Sequence, residues 1–180
     1  MPRSGRSVRI PMFPDEELDS IFSLDPARLK AAGKRGIIFD LDNTLAPRGA
    51  EELTGPVRDL LSGLERKGFL IGILSNNEGR LLSSKLGDHP IHIHFNAQKP
   101  RRRGFRRLLQ EMDLRPEEAV MVGDNLFTDI WGAKRLGIHA ILVRPFDPHE
   151  PFFIKPVRLA ARLILALRRL GLRPARPKIL

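Results

Sequence analysis

Cysteine is absent from this chain of 180 residues. Disulfide bonds and thiolate zinc sites are therefore excluded, and nothing points to an oxidising compartment. Long apolar runs are also missing, since no stretch approaches the roughly 20 uncharged residues of a membrane-spanning helix. The basic N-terminus has no apolar segment behind it, as a cleaved signal peptide would require. We expect a cytoplasmic protein, with peripheral attachment at the inner membrane surface left open.

Acidic residues are outnumbered. The chain has 21 Asp and Glu against 31 Lys and Arg, which gives a formal net charge of +10. Such a surplus favours polyanionic partners or an anionic membrane surface, and it draws phosphorylated substrates toward any cleft that it lines. A solvated surface explains the same composition. The length and the 42% hydrophobic content fit one folded domain with a single sizeable core.

Apolar segments alternate with amphipathic ones along the chain. Strands are predicted over residues 37–39, 69–74, 91–95, 119–122 and 138–143. Helices are predicted over residues 15–21, 26–32, 56–67, 78–86, 104–112, 128–136 and 156–170. This alternation is typical of a parallel sheet with helices on both faces. We predict an α/β fold of three layers, α/β/α, around a mostly parallel five-stranded sheet.

The predicted elements divide the chain into three parts of one domain. Residues 36–145 contain the alternating strands and helices and form the core. Residues 1–35 form an arm with short helices that pack on this core. Residues 146–180 add an aromatic loop, a basic amphipathic helix and a basic tail. The connections within the core are consumed by the expected helices and strands, so no cap domain is expected.

Two aspartates follow the first strand of the core. Side chains at i and i+2 of an extended segment point to the same side, so Asp40 and Asp42 face one site together. Two like charges this close repel, and a cation between them or a shared proton relieves the repulsion. A hard divalent cation, most plausibly Mg²⁺, fits such carboxylates. An Asp-x-Asp pair also occurs in solvated turns after strands, so further residues must support this interpretation.

Polar residues follow other strands in the same way. Ser75 and Asp124 come directly after apolar strands, as Asp40 does. In open α/β sheets, ligands bind beyond the carboxyl ends of the strands. We therefore predict that these three side chains converge at one edge of the sheet.

The chain resembles the haloacid dehalogenase (HAD) superfamily of phosphohydrolases in four motifs that occur in the family order. They are Asp40-Leu-Asp-Asn-Thr-Leu45, Ser75-Asn-Asn77, Lys99-Pro100, and Gly123-Asp124 with Asp129 beyond it. Residues 96–145 are similar to subclass IIIA. The run from Val122 to Ala133 is most similar to the YqeG-like branch, which includes phosphatases acting on phosphatidylglycerophosphate.

The resemblance implies a role for each motif residue. Asp40 attacks phosphorus and forms an aspartyl-phosphate, and Asp42 is the general acid and base. Lys99 offsets the negative charge between Asp40 and the phosphate. Ser75, Asn76 and Lys99 together bind the phosphate.

The resemblance also implies a metal site. Mg²⁺ is held by Asp40, by the backbone carbonyl of Asp42 and by Asp124. Asn125 and Asp129 lie next to these metal ligands, and as an alternative Asp129 reaches the ion itself.

Each of these residues also has a purely structural interpretation. Ser75 is suited to cap the following helix. Lys99 precedes a run of arginines and fits a solvated basic surface, and Asp129 fits an exposed helix face. For Asn76, Asn77 and Asn125 the structural and functional interpretations are equally good. For the set as a whole, the order and spacing of the motifs favour the functional interpretation over the structural one.

The predicted function is that of a capless, Mg²⁺-dependent phosphatase. An open site suits a phosphate on a large molecule, and phosphatidylglycerophosphate or a related lipid phosphate is the favoured substrate. Phosphorylated nucleic-acid ends, phosphoproteins and a non-catalytic basic binding module remain as alternatives. The arginines at 101–107, the aromatic loop at 145–153 and the helix at 156–170 are suited either to an anionic membrane surface or to packing and solvation.

Overall fold

A computed structural model describes residues 12–50, 52–77, 90–147, 159–161 and 163–166. Six strands form one sheet with the order β1-β6-β5-β2-β3-β4, and every pairing is parallel. The strands are β1 (Glu16–Leu18), β2 (Gly36–Phe39), β3 (Leu70–Leu74), β4 (Ile91–His94), β5 (Ala119–Gly123) and β6 (His139–Val143). The predicted parallel α/β architecture is confirmed, with one strand more than expected.

The central strands carry apolar side chains on both faces of the sheet. In β2, Ile37 and Phe39 face one hydrophobic cluster and Ile38 faces a second one. Because successive side chains of a strand point to opposite faces, a continuous apolar run needs a covering layer on each side. One cluster therefore lies on each face of the sheet, and the sheet with its two covering layers makes the three layers of the fold.

Helices supply the two covering layers. They are α1 (Pro26–Ala31), α2 (Gly55–Arg66), α3 (Arg102–Glu111) and α4 (Trp131–Lys134). Val57, Leu61 and Leu64 of α2 pack in the first cluster. Phe105 and Leu108 of α3 pack in the second. The predictions of α1, α2 and α3 are confirmed to within two residues at each end.

The predicted helix at residues 15–21 is wrong, because this segment forms edge strand β1 and then a 3₁₀ turn at Ile21–Ser23. The backbone N–H of Asp15 donates to Ala140 O at 2.8 Å, and Asp15 Oδ2 accepts from Ala140 N at 2.8 Å. Pairing with β6 outweighs the helix propensity of the two glutamates, as strand formation depends strongly on such tertiary context.

The predicted helix at residues 128–136 begins earlier and is irregular. A π-helical turn runs from Leu126 to Ile130, and α4 follows it directly. Asn125 caps the turn, since its Oδ1 accepts from Phe127 N and Thr128 N at 3.0 and 3.2 Å.

Other predictions fall partly or wholly outside the described residues. The predicted helix at 78–86 lies outside them, as does most of the helix at 156–170, of which 159–161 and 163–166 are helical. Within the described part of the chain, none of the helices has the length and apolar character needed to cross a membrane. The division at residues 35 and 146 stays a prediction. The connection from Phe39 to Gly55 is short, and its described residues, 40–50 and 52–54, include no helix or named strand.

We expect Asp15→Asn to lower the free energy of unfolding by about 1 kcal/mol, because Asp15 Oδ1 accepts from Lys134 Nζ at 2.6 Å. Burial raises the pKa of Asp15, but the hydrogen bonds from Lys134 and Ala140 N outweigh it and hold that pKa below 3.8. A carboxyl with a lowered folded-state pKa stabilises the fold at neutral pH, and this contribution is lost as the pH falls through that pKa.

Urea denaturation of the wild type and of Asp15→Asn measures this contribution. The difference between them should be constant above about pH 5 and shrink at lower pH. Asp59→Asn, at an exposed position on α2, is the matched control. An equal loss in both variants would contradict the assigned role of Asp15.

Candidate active site

The carboxyl ends of neighbouring strands bring the predicted residues together. Asp40 follows β2, Ser75 follows β3, and Asp124 follows β5. Asp40 N donates to Val122 O at 2.9 Å, so the pairing of β2 with β5 continues into the site. Lys99 arrives from the loop after β4 and contacts the Asp40 carboxylate. The predicted convergence at one edge of the sheet is confirmed.

Three buried carboxylates form the centre of this edge. Oxygen atoms of Asp40, Asp124 and Asp129 all lie within 4.8 Å of one another. Asp129 is 0% exposed, so a surface position on a helix is excluded. Asn125 N donates to Asp129 Oδ2 at 3.1 Å, and Thr128 Oγ1 donates to Asp129 Oδ1 at 3.2 Å. The π-helical turn thus carries Asp129 into the cluster that the strand ends begin.

Glycine at position 123 makes room for Asp129. A Cβ atom at this position would lie 2.5 Å from Asp129 Oδ2, which is far inside van der Waals contact. Any side chain here would displace the carboxylate. Glycine as the last residue of β5 is therefore needed for close packing of the cluster.

Lys99 is the buried cation of the site. Its Nζ contacts Asp40 Oδ1 and lies 2.8 Å from Asp129 Oδ1. The Asn76 side chain holds the backbone of Lys99, since Oδ1 accepts from Lys99 N at 2.6 Å and Nδ2 donates to Lys99 O at 3.0 Å. The second and third motifs are thereby joined, and a solvated position for Lys99 is excluded.

Ser75 links the second motif to Asp42. Its Oγ donates to Asp42 Oδ2 at 3.1 Å and accepts from Asn77 N at 3.1 Å. Both partners belong to motif residues, so the hydroxyl orients Asp42 and also organises the turn after β3. The Asp42 side chain faces the pocket beside the cluster of three carboxylates. Phosphate binding by Ser75 and Asn76 stays a prediction, and the Asn76 amide is already engaged with Lys99.

Sequence reasoning missed Thr44 and Asn43. Thr44 Oγ1 accepts from Asp124 N at 3.1 Å and lies 3.5 Å from Asp124 Oδ1. Asn43 has a φ of 64° and exchanges two hydrogen bonds with the backbone of Asp147 at 2.6 and 3.1 Å. Both residues lie within the first motif, directly after Asp42, and this position in the sequence could have indicated that they contribute to the site.

Burial and like charge act on the same carboxyl group. The pKa of Asp40 is raised to about 8. Burial is the largest cause, the negative charges of Asp129 and Asp124 act in the same direction, and Lys99 acts against them. Burial lowers the pKa of Lys99, but the charges of Asp129 and Asp40 outweigh it and raise that pKa overall. Lys99 therefore stays charged, and further positive charge beside Asp40 would favour the ionised form of its carboxyl group.

The donor set fits a hard divalent cation. Around Lys99 the structure places Asp40, Asp42, Asp124 and Asp129, so carboxylates outnumber the buried ammonium. Carboxylate oxygens are the ligands that Mg²⁺ prefers, and a divalent ion would balance charges that one lysine cannot. Asp40, Asp124 and Asp129 have the mutual distances of a metal-binding group. Asp129 belongs with the candidate ligands, while Asn125 acts on the cluster through its backbone N–H.

A small pocket opens above the cluster. Its volume is about 150 Å³. The residues that line it come from all four motifs and from the loop after the first: Asp40, Asp42, Arg48, Asn76, Asn77, Lys99, Asp124, Asn125 and Thr128. Sites for whole drug-sized ligands occupy about 300 to 1,000 Å³. This pocket has room for a small anionic group next to the carboxylates, with the rest of any larger ligand outside.

Comparison with known proteins relates this site to phosphatases. Residues 96–145 match the HAD-hydrolase-like family. The chain is 37% identical over 162 residues to the probable phosphatase YqeG of Bacillus subtilis (strain 168), an alignment that covers 88% of this chain and 93% of that protein.

A plant relative and a solved structure add to this. The chain is 27% identical over 177 residues to the chloroplastic/mitochondrial phosphatidylglycerophosphate phosphatase 1 of Arabidopsis thaliana, and 91% of this chain aligns with 50% of that longer protein. The crystal structure of an uncharacterized protein from Listeria monocytogenes serotype 4b matches with a TM-score of 0.51 and 25% identity. That match covers 75% of this chain and 99% of the Listeria chain.

We expect Lys99→Met to lower the free energy of unfolding by about 3 kcal/mol when measured by chemical denaturation in EDTA, because it leaves buried carboxylates without their cation. Adding Asp129→Asn removes one of those carboxylates, so the double variant should lose less than the sum of the single losses. Lys67→Met, at an exposed position after α2, is the control. Equal stability of Lys99→Met and Lys67→Met would show that the charges at the site are balanced without Lys99.

Proposed function

Since the chain belongs to the HAD superfamily of phosphohydrolases, in its YqeG-like branch, and is a phosphoric monoester hydrolase, we propose that Asp40 is its nucleophile and Mg²⁺ its cofactor. The observation that carries this proposal is the position of Asp40. It lines the pocket, contacts the buried Lys99 ammonium and lies in the group of three carboxylates. A carboxylate so placed meets a phosphoryl group that enters the pocket.

The proposed reaction has two displacements at phosphorus. Asp40 attacks phosphorus, the bond from phosphorus to the leaving oxygen breaks, and Asp42 gives that oxygen a proton. A water then gives a proton to Asp42 and attacks the aspartyl-phosphate, which releases inorganic phosphate and restores the Asp40 carboxylate. Two easier steps replace one difficult hydrolysis.

The other site residues prepare these steps. Ser75 holds Oδ2 of Asp42 and so orients the group that moves the proton. Lys99, fixed by Asn76, places positive charge where the phosphoryl oxygens approach Asp40. Mg²⁺ would be held by Asp40, Asp124 and the backbone carbonyl of Asp42. Asp129 would join them, because its carboxylate lies close to those of Asp40 and Asp124. When bound, the ion neutralises negative charge on the phosphoryl group.

A lipid phosphate is the substrate that we favour, with phosphatidylglycerophosphate as the first candidate. Three observations support it. The relative from Arabidopsis is named for this activity. The pocket of about 150 Å³ has room for a phosphoryl group, and the rest of a large substrate would lie outside it. The exposed arginines Arg102, Arg103 and Arg106 of α3 give a basic surface for peripheral contact with anionic lipid.

Phosphorylated nucleic-acid ends and phosphoproteins form the second candidate substrate class. The net charge of +10 favours them as much as it favours an anionic bilayer. The same open pocket would accept the terminal phosphate of either. Because both classes of substrate would bind a basic surface, rates of hydrolysis rather than affinities must distinguish between them.

We expect Asp40→Asn to lose more than about 1,000-fold in kcat on an aryl phosphate with Mg²⁺, since loss of a nucleophile has effects of at least this size in other hydrolases. The wild type should also lose turnover in EDTA and recover it when Mg²⁺ is returned. Asp59→Asn should keep wild-type turnover. Retained activity in folded Asp40→Asn would refute the assigned nucleophile.

We expect phosphatidylglycerophosphate in mixed micelles to give a higher kcat/KM than 5′-phosphorylated oligonucleotides or phosphopeptides at the same salt concentration. The reason is that the relative with the matching name acts on that headgroup and the rim is basic. Phosphate release measures all three. A higher value for an oligonucleotide or phosphopeptide would transfer the proposal to the second class, while flotation with anionic liposomes would report membrane contact separately.

A further inference from the structure

Arg48 is a second positive charge of the pocket, and its surroundings differ from those of Lys99. Arg48 lines the pocket but is exposed to solvent, whereas Lys99 is buried against two carboxylates. Among the described residues, none makes an ion pair or a side-chain hydrogen bond with Arg48. Its guanidinium is therefore available to a ligand at the mouth of the pocket.

A tight turn presents Arg48 there. Ala50 N donates to Pro47 O at 3.1 Å, and Gly49 has a φ of +73°. Arg48 is not among the residues with positive φ, so these features are those of a type II turn with Arg48 and Gly49 at its centre. Glycine is the residue that this turn requires at its third position. The turn fixes the direction in which the chain leaves the first motif.

The base of that turn is held by the core and by a distant loop. Leu45 and Ala46 are 0% and 2% exposed. Asn43 N donates to Ala46 O at 2.7 Å, and Phe146 N donates to Asn43 O at 2.7 Å. Arg48 thus extends from an anchored segment, so binding of a ligand has to order its side chain but not the backbone before it.

The size of the pocket locates the group that Arg48 can meet. About 150 Å³ accommodates the phosphoryl group beside Asp40 and Lys99. The leaving group of any substrate must then lie at the mouth, where Arg48 stands. A guanidinium presents a planar fork of donors that matches a phosphodiester or carboxylate in bidentate geometry.

We propose that Arg48 is a specificity-determining residue that binds a second anionic group of the substrate, a phosphodiester or a carboxylate a few bonds from the phosphomonoester that is hydrolysed. This inference rests on the proposed function, since it presumes that the phosphomonoester enters the pocket toward Asp40. It adds a requirement on the leaving group, which must itself be anionic for the highest kcat/KM.

Three soluble phosphomonoesters test the proposal with the full chain and Mg²⁺. Glycerol 3-phosphate has no second anion, 3-phosphoglycerate has a carboxylate, and the deacylated headgroup of phosphatidylglycerophosphate has a phosphodiester. For the wild type we expect kcat/KM to be higher for the two substrates with a second anion. In Arg48→Gln this preference should fall by about 10-fold, the factor that loss of one charge-assisted hydrogen bond produces.

The change should appear mainly in KM, because the contact is made equally in the ground state and the transition state. Arg48→Lys should keep part of the preference, and added salt should weaken the preference of the wild type. A larger effect on the carboxylate substrate than on the phosphodiester, or the reverse, identifies which second anion is read.

Arg66→Gln is the matched control, because Arg66 is exposed at the end of α2, which leads into the opposite edge of the sheet. It removes the same charge and should leave the preference unchanged. The proposal is overturned if Arg48→Gln keeps the wild-type preference, or if glycerol 3-phosphate loses as much kcat/KM as the other two. The proposed function fails separately, when the wild type hydrolyses none of the three substrates.

Discussion

The contact of Lys99 with Asp40 and Asp129 is the interaction on which the site depends. Carboxylates buried this close together repel one another, and burial removes the water that would screen them. One ammonium is too little charge for the cluster, so the protein is arranged to accept more positive charge from outside. The same imbalance that makes the site costly for the fold makes it suitable for a metal ion, and this added positive charge would offset the repulsion between the carboxylates and an anionic phosphoryl group.

Parallel pairing explains how residues far apart in sequence reach this contact. β2, β3 and β5 lie side by side, and each of them ends at the same edge of the sheet, directly before a polar residue. The turns therefore deliver Asp40, Ser75 and Asp124 to one edge without any connecting structure of their own. What remains is to hold Lys99 and Asp129, and Asn76 and the π-helical turn do this through hydrogen bonds to backbone groups.

The amino-acid sequence predicted those parts of the site and fold that depend on residues close together in the chain. The buried strands were recognisable because runs such as Gly36–Phe39 are apolar on both faces, and the residues that follow them therefore fell at the correct edge. β1 was mistaken for a helix because its stability comes from pairing with β6, which lies more than a hundred residues later. The role of Asn76 could not be read for a similar reason, since its partner is the backbone of Lys99 rather than a motif side chain.

Recognition of the substrate must be divided between the bottom and the mouth of the pocket. In the proposed mechanism, Asp40, Lys99 and Asp124 act on the phosphoryl group that every phosphomonoester shares, so they would not distinguish one substrate from another. The connection between β2 and α2 is too short for a cap that could enclose a leaving group. Among the described residues, side chains at the mouth are therefore the candidates for selectivity, and the turn at Pro47–Ala50, which follows buried Leu45 and Ala46, presents one of them. Under the proposed function, a pocket of about 150 Å³ leaves the leaving group outside, so charged side chains such as Arg48 would distinguish one substrate from another.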